Sequence, residues 1–307
     1  MGNYFASLCG FRPPTWLKIT GEDVFGFLQG QFTNDLKGPP GSATYGLWLN
    51  QKGKVLADSH VLRESENQFR VLSDYSSAAT IVQRLEQYII ADDVVIEDQT
   101  DEVRGLVVRQ NETGGELLAA RLGALPDPGK FSQIDGGWIF RGRRSASENY
   151  EIIGSETVVA EWQKRLLAAG GTEVGPEEME LARISSGIPS VPQDIGPGDL
   201  PNEAGLEQEA ISFTKGCYLG QEVMARLKNL GQVRRHLQRV RGEGPAPKMG
   251  TPLFQGEKKA GEIRSAVSSG EGFVALAMLT RLGLDEKAGF TFEPGTKSSY
   301  DAELWTS

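Results

Sequence analysis

The chain is poor in the residues from which metal and redox sites are usually built. It has two cysteines, Cys9 and Cys217, and two histidines, His60 and His236, in 307 residues. Two thiols provide no disulfide framework, and a cluster that takes about four thiolates cannot be held by one copy, so any such group would be shared. Neither histidine has zinc-type spacing around it, so no metal is expected. No G-x-S-x-G elbow accompanies either one, which sets aside a Ser-His-Asp hydrolase. No run approaches the roughly 18 to 20 apolar residues of a membrane helix. The N-terminus has neither a positively charged start nor an apolar signal core, so no membrane association and a cytoplasmic location are expected. Gly2 would suit myristoylation, but Ala6 stands where that signal takes Ser or Thr.

What is present is ordinary globular material, 39% hydrophobic and 24% charged, and long enough for two or three cores. The net charge of −9 argues against stable nucleic-acid binding. The distribution is uneven, however. Lys215, Arg226, Lys228, Arg234, Arg235, Arg239 and Arg241 fall in one segment whose only acid is Glu222. This is either a solvated helix face followed by a strand, or an anion site suited to a polycarboxylate or a phosphate.

WLKIT (16–20) reads as a strand, and Thr20 with Asp23 forms a capping-box pattern opening a helix through Phe25, Phe27 and Leu28. ATYGLWLNQKGKVLADSHVLR has two β-rich runs around Asn50-Gln51-Lys52-Gly53, which is hairpin chemistry. In the second run, period-2 alternation places Leu56, Asp58, His60 and Leu62 on one face, an acid among leucines. QFRVL, a helical repeat through Ile81, Val82, Leu85, Tyr88 and Ile89, and DVVIED complete an α+β unit. A second begins at VRGLVV and continues through a helix at GELLAARL, strands at GGWIF and NYEII, and a helix carrying Val158, Val159, Trp162 and Leu166. This order predicts a ferredoxin-like domain. PEEMELARISSG opens with proline and acids, as a helix start prefers. The next 19 residues, 187–205, hold four prolines and four glycines and read as a long irregular segment of the kind that often carries function. After the linker RGEGPAPKMGTP, short strands such as GEIRSAVS and GFVALAML predict a small β-barrel.

TKGCYLGQEVMAR (214–226) sets Cys217 between two glycines and beside Lys215. A helix starting near Tyr218 would aim free N–H groups at the sulfur, an arrangement that lowers a thiol pKa from about 8.5. The alternative is a buried, inert cysteine acting as a small hydrophobe.

KGCYLGQE resembles the signature of the YgfZ-type folate-binding proteins, relatives of the glycine-cleavage T-protein, an aminomethyltransferase. ITGEDVFGFLQGQFTNDL, YGLWLNQKGKVLAD, RISSGIP, LPNEAGLE and GQVRRHL resemble further family segments in the expected order. The resemblance implies an α+β chain in a GcvT/YgfZ-like ring, or cloverleaf, of three domains. These would be a discontinuous folate-binding domain (1–100 plus 176–233), a ferredoxin-like middle domain (101–175) and a C-terminal β-barrel (234–307). It also implies tetrahydrofolate or another reduced folate, possibly polyglutamylated, as ligand, and iron–sulfur assembly or client proteins as partners.

Residue by residue, Asp58 matches the T-protein's catalytic aspartate, while Lys54 and Ala57 replace a glycine and an aspartate of that pattern. Glu148 matches its pterin-binding glutamate with one residue missing before Tyr150, and Arg183 with Gly187 matches its folate-side arginine and glycine. Lys215 and Tyr218 fit both groups and Gln221 the YgfZ type, so all three are expected on the ligand side. Cys217 belongs to the YgfZ version and is expected to act as a redox or transient ligand thiol. The expected function is a folate-dependent accessory factor supporting iron–sulfur cluster assembly or repair, including that of tRNA-modifying enzymes. The alternative is a folate-dependent aminomethyltransferase or demethylase using Asp58.

Overall fold

Alternating apolar positions along the first hundred residues form a twisted antiparallel sheet, and that sheet positions everything described below. The computed structural model describes residues 5–110, 125–231, 233–295 and 301–305; the helix expected at GELLAARL lies outside them. The chain runs β1 (Ala6–Phe11), β2 (Thr15–Thr20), α1 (Val24–Gln31), β3 (Ser42–Leu49), β4 (Val55–Arg63), β5 (Gln68–Ser73), α2 (Ala78–Glu86) and β6 (Val95–Asp98). Strands β3, β4, β5, β2 and β6 lie in that order in one sheet. At the β3–β4 turn, Asn50 Oδ1 accepts from the amides of Lys52 and Lys54, and Gly53 takes φ +70, a conformation that disfavours a β-carbon.

One face of this sheet packs Trp48, Ala57, Val61, Phe69 and Val71 against Phe27 and Leu28 of α1 and Ile81 and Leu85 of α2. The start of α1 differs from expectation. Asp23 occupies the N-cap, but its carboxylate accepts from the Asp93 amide instead of capping the helix. The helix thus begins later than the capping box at Thr20 predicts, with Asp23 rather than Thr20 at its N-cap, and a contact remote in sequence takes the Asp23 carboxylate.

The second sheet comprises β7 (Arg104–Gln110), β8 (Phe131–Ile134), β9 (Gly137–Arg141), β10 (Asn149–Gly154) and the short β11 (Thr172–Glu173), with α3 (Glu156–Ala168) packed on it through Val159, Trp162 and Leu166. Its order is β11-β1-β7-β10-β9-β8, the four-stranded ferredoxin-like order β11-β7-β10-β9 with two strands added. One, β8, extends the edge beside β9; the other, β1, is antiparallel to β7 and inserted between β7 and β11. Residues 6–11, placed by sequence in the first domain, therefore hydrogen-bond into the second sheet. The segment is short and has no turn chemistry of its own, so no local pattern reveals its distant partner.

The two sheets meet face to face through Trp16, Leu62 and Leu72 on one side and Phe140, Ile153 and Trp138 on the other. The chain then returns through α4 (Pro176–Ser185), α5 (Glu207–Ala210) and α6 (Gln221–Leu230). Leu206, Ala210, Tyr218 and Met224 from this stretch cover the remaining part of the first sheet at Leu47, Leu49 and Val55. The third sheet is antiparallel, with β12 (Arg235–Glu243), β13 (Pro252–Gln255), β14 (Lys258–Ser269), β15 (Gly272–Thr280) and β16 (Glu303–Leu304) in the order β13-β14-β15-β12-β16. Bridges from Phe254 to Thr291 and from Phe290 to Ala302 join its two edges and close the expected barrel. A register shift between Ile263 and Ser265 re-aims Arg264 toward the buried carboxylate of Asp199 and fastens the barrel to the returning chain.

A buried polar chain crosses the molecule between the sheets. Arg144 donates to Asp74 at 2.6 Å and to Glu151 at 3.1 Å. Tyr75 donates to Glu180, which Arg183 also binds, and Arg183 reaches Asp194 at 2.7 Å. Burial pushes the Glu151 carboxyl up to about 8; Arg144 opposes that shift and Asp74 adds to it. Replacing Arg144 by methionine would leave two carboxylates facing each other in the interior. Urea unfolding should show a loss of about 3 to 5 kcal/mol, partly restored by adding Glu151→Gln. A loss near zero would mean that the network carries no weight.

Candidate functional site

Asp58 lies on β4 opposite Leu47, and His60 opposite Tyr45, so the strand register sets all four on the sheet face that turns away from α1 and α2. The Asp58 carboxylate is buried and well held. Tyr45 Oη donates to Oδ2 at 3.0 Å, the Ser73 hydroxyl donates to Oδ1 at 2.9 Å, and the Ser76 hydroxyl is also 2.9 Å from Oδ1. The Asp58 amide in turn donates to Ser76 Oγ. Burial pushes the Asp58 carboxyl up, while Arg143 and the two serines pull it back.

Above Tyr45 opens a cavity of about 570 Å³, lined by Tyr45, His60 and Glu209 together with Lys130, Arg141 and Arg143. Arg143 lies 4.0 Å over the Tyr45 ring and pairs with Glu209 through both Nε and Nη2. His60 stacks between Tyr45 and Phe140, and burial holds its imidazole down to about 4, so it is neutral at pH 7. The cavity thus offers an aromatic wall, a buried carboxylate behind it and cations in its lining.

The sequence-derived residues divide into two groups. Asp58 lies directly behind the cavity wall. Glu148 stands at the rim, half exposed and 3.4 Å from the cavity-lining Arg141. Arg183 is not available as a ligand cation. It is 1% exposed and donates to Glu180, Asp194, the Ser265 hydroxyl and the carbonyl of Ile188. Ile188 lines the cavity, so Arg183 shapes the wall from behind.

Lys215 is also committed elsewhere. Its ammonium is buried and donates to the carbonyls of Gln29, Phe32 and Asn34 at 2.7 to 2.9 Å, just past the end of α1. Burial lowers it to about 8. Its charge is therefore spent on a carbonyl cage and does not serve the thiol. Cys217 is exposed, and α6 begins at Gln221 behind a left-handed Gly220 cap, later than the start expected near Tyr218. Gly220 takes that conformation pressed against the Asn50 carbonyl and Gly53 of the hairpin turn. Tyr218 packs in the core beneath, its hydroxyl unpaired, and burial pushes it up to about 12.

The basic segment does not form a converging anion site. Lys215 is buried, Arg226 pairs with Glu222, Arg235 with Asp199 and Glu203, and Arg241 with Glu303. The cations that do converge, Lys130, Arg141 and Arg143, were missed. The signal was visible: FRGRRS, at the end of a predicted strand, holds three arginines in four positions. Tyr45 was also recoverable, because the hairpin register sets it beside the Asp58 face.

Comparison with known proteins defines the class first. The GCVT N-terminal domain matches residues 9–109 and the CAF17 C-terminal beta-barrel domain residues 220–288. Aminomethyltransferase T of the glycine cleavage system of Bartonella henselae shares the fold, with a TM-score of 0.76 at 19% identity over 90% of this chain and 79% of that one. The chain is 29% identical over 283 residues to the mitochondrial iron-sulfur cluster assembly factor IBA57 of Homo sapiens, covering 86% of this chain and 75% of that protein. It is 30% identical over 244 residues to the tRNA-modifying protein YgfZ of Edwardsiella ictaluri (strain 93-146), covering 75% of this chain and 70% of that protein. The chain belongs to the YgfZ family. No helix among the described residues is long and apolar enough to cross a membrane.

His60 supplies a pH test of the site. Its folded value of about 4 lies below the roughly 6.5 of an unfolded histidine, so the unfolded chain takes up the proton first. The stability this contributes is complete above about pH 6.5 and is lost as pH falls toward 4. His60→Phe, which keeps the ring stack, should lose less stability than the native protein between pH 7 and 4.5 in urea titrations. Equal losses would show that His60 is not held neutral.

Proposed function

We propose that the chain binds a reduced folate, tetrahydrofolate in the first instance, in the Tyr45–Arg143 cavity and acts as an accessory protein in iron–sulfur cluster assembly or repair, including that of tRNA-modifying enzymes. The observation that carries the folate part is the buried Asp58 carboxylate held behind Tyr45 beneath a cavity walled by cations. The volume suits a small ligand. A pterin presents a flat ring and adjacent N–H donors, for which Tyr45 and His60 offer an aromatic wall and Glu148 at the rim an acceptor, while Asp58 acts from behind through the Tyr45 hydroxyl. A folate's glutamate carboxylates, one or several, suit Lys130 and Arg141, which line the cavity. Lys215, Tyr218 and Gln221 act on this reading through the scaffold.

The accessory part rests on kinship with the IBA57 and YgfZ proteins and on an exposed Cys217. Among the described residues no group of His, Cys, Asp or Glu is arranged to hold a metal ion. On this reading the cluster is cargo held mainly by a partner, because two cysteines cannot supply the roughly four thiolates it takes, with the Cys217 thiolate as a transient ligand or as the nucleophile in disulfide exchange. A second reading, aminomethyl transfer or demethylation, is favoured by the buried Asp58 carboxyl, which matches the transferase's catalytic aspartate and which burial shifts upward. Two features weigh against it. Lys54 donates to the Gly198 carbonyl and Ala57 is packed in the core, where the transferase pattern has glycine and aspartate.

Calorimetric titration with tetrahydrofolate should show one site. Asp58→Asn and Glu148→Ala should each weaken it about 10- to 100-fold, the equivalent of roughly 1.4 to 2.8 kcal/mol. No heat at millimolar ligand would end the folate reading. Cys217→Ser should leave that affinity unchanged while lowering client iron–sulfur enzyme activity in cells lacking the native copy. Full client activity would remove the thiol from the mechanism.

A further inference from the structure

The QGQFTNDL segment has no part in the ligand reading, yet its residues join the cavity to the Cys217 loop. Asn34 Nδ2 donates to the carbonyls of Tyr45 at 2.8 Å and Glu209 at 2.9 Å, the two residues that face each other across Arg143. The Asn34 carbonyl accepts from Lys215 Nζ at 2.9 Å, as do those of Gln29 and Phe32. Beside it, Thr33 Oγ1 accepts from the Leu47 amide and donates to the Ala210 carbonyl. The loop docks on the same short stretch of chain. The Ser212 amide donates to Thr33 O at 3.1 Å and the Leu219 amide to Gly30 O at 3.2 Å.

The turn 30–34 is therefore shared. On one side it fixes the backbone of two cavity-wall residues; on the other it receives the ammonium and two amides that hold the loop down. We propose that Asn34 and Lys215 are positioning residues that couple the cavity to the Cys217 loop, so that a ligand bound against Tyr45 and Glu209 favours the docked loop. The inference rests on the folate reading of that cavity. The two states are loop docked, with Lys215 in its carbonyl cage, and loop released. In the released state the Lys215 bonds to Gln29, Phe32 and Asn34 are gone, and the Asn34 that braces both wall residues loses its anchor. A ligand that needs a braced wall binds the docked state more tightly, and its effect on the loop must equal the loop's effect on its affinity. Through this device, occupancy of the cavity governs how Cys217 is presented.

The experiment is amide hydrogen exchange of the full chain with and without saturating tetrahydrofolate, alongside calorimetry on the same samples. Ser212 and Leu219 should exchange at least threefold more slowly with ligand over minutes. Ala277 in the barrel strand should be unchanged over that time, which separates local docking from general stabilisation. In Asn34→Ala the affinity should persist within about tenfold while the ligand's effect on Ser212 and Leu219 disappears. Lys215→Met, which favours the released loop without touching the cavity, should raise Kd by at least threefold. If either variant fails to fold, the comparison within the native protein still decides. Heat of binding with unchanged Ser212 and Leu219 exchange overturns the coupling and leaves the folate reading standing. Absence of any binding overturns both.

Discussion

One guanidinium, Arg144, holds the first two sheets in a fixed relation. It leaves the strand pair of the second sheet, crosses to Asp74 on the connection after β5, and returns to Glu151 on β10, with the rings of Phe11 and Tyr75 against it. Removing any one partner would leave a buried charge without its counter-charge, so the arrangement persists only if every partner is in place. The same constraint extends through Tyr75 and Glu180 to Arg183, whose bond to the Ile188 carbonyl sets part of the cavity wall. Part of the cavity wall is thus set by charges that do not line it. Arg143, one residue earlier than Arg144, points the other way and lies on Tyr45. Two consecutive arginines divide between binding two sheets together and lining the space between them.

Much of the fold was legible because its signals are local. Asn50 to Gly53 specified the hairpin, the helix through Ile81 and Leu85 followed its apolar period, and the proline-led helix from Pro176 began where its composition indicated. Asp58 was legible for the same reason, since a period-2 pattern marks the face of an acid among leucines. Arg183 and Lys215 could be located but not interpreted. Sequence pattern shows that a cation is present at a motif position; it does not show whether that charge is already satisfied by carbonyls or carboxylates from segments far along the chain. Both proved to be buried and fully engaged.

The converging cations were harder to see for a related physical reason. Lys130, Arg141 and Arg143 come from a loop and a strand end of the second sheet, and they meet Tyr45 only because the two sheets pack face to face. Such convergence has no period. The dense run from Lys215 to Arg241 looked like a charged surface in one dimension, yet the fold distributes it among Glu222, Asp199, Glu203 and Glu303. Charge density along a chain and charge density in space are different quantities.

The insertion of β1 into the second sheet has a consequence for biosynthesis. Ala6 pairs with Gln110 and Ser7 with Thr172, so this strand is made well before its partners and waits for them. The first sheet, by contrast, is assembled wholly from residues 15–98 and can form as soon as β6 is available. Ordered synthesis therefore leaves Ala6–Phe11 unpaired while the chain behind it folds, and closure of the second sheet over that segment ties it to residues made about a hundred or more positions later.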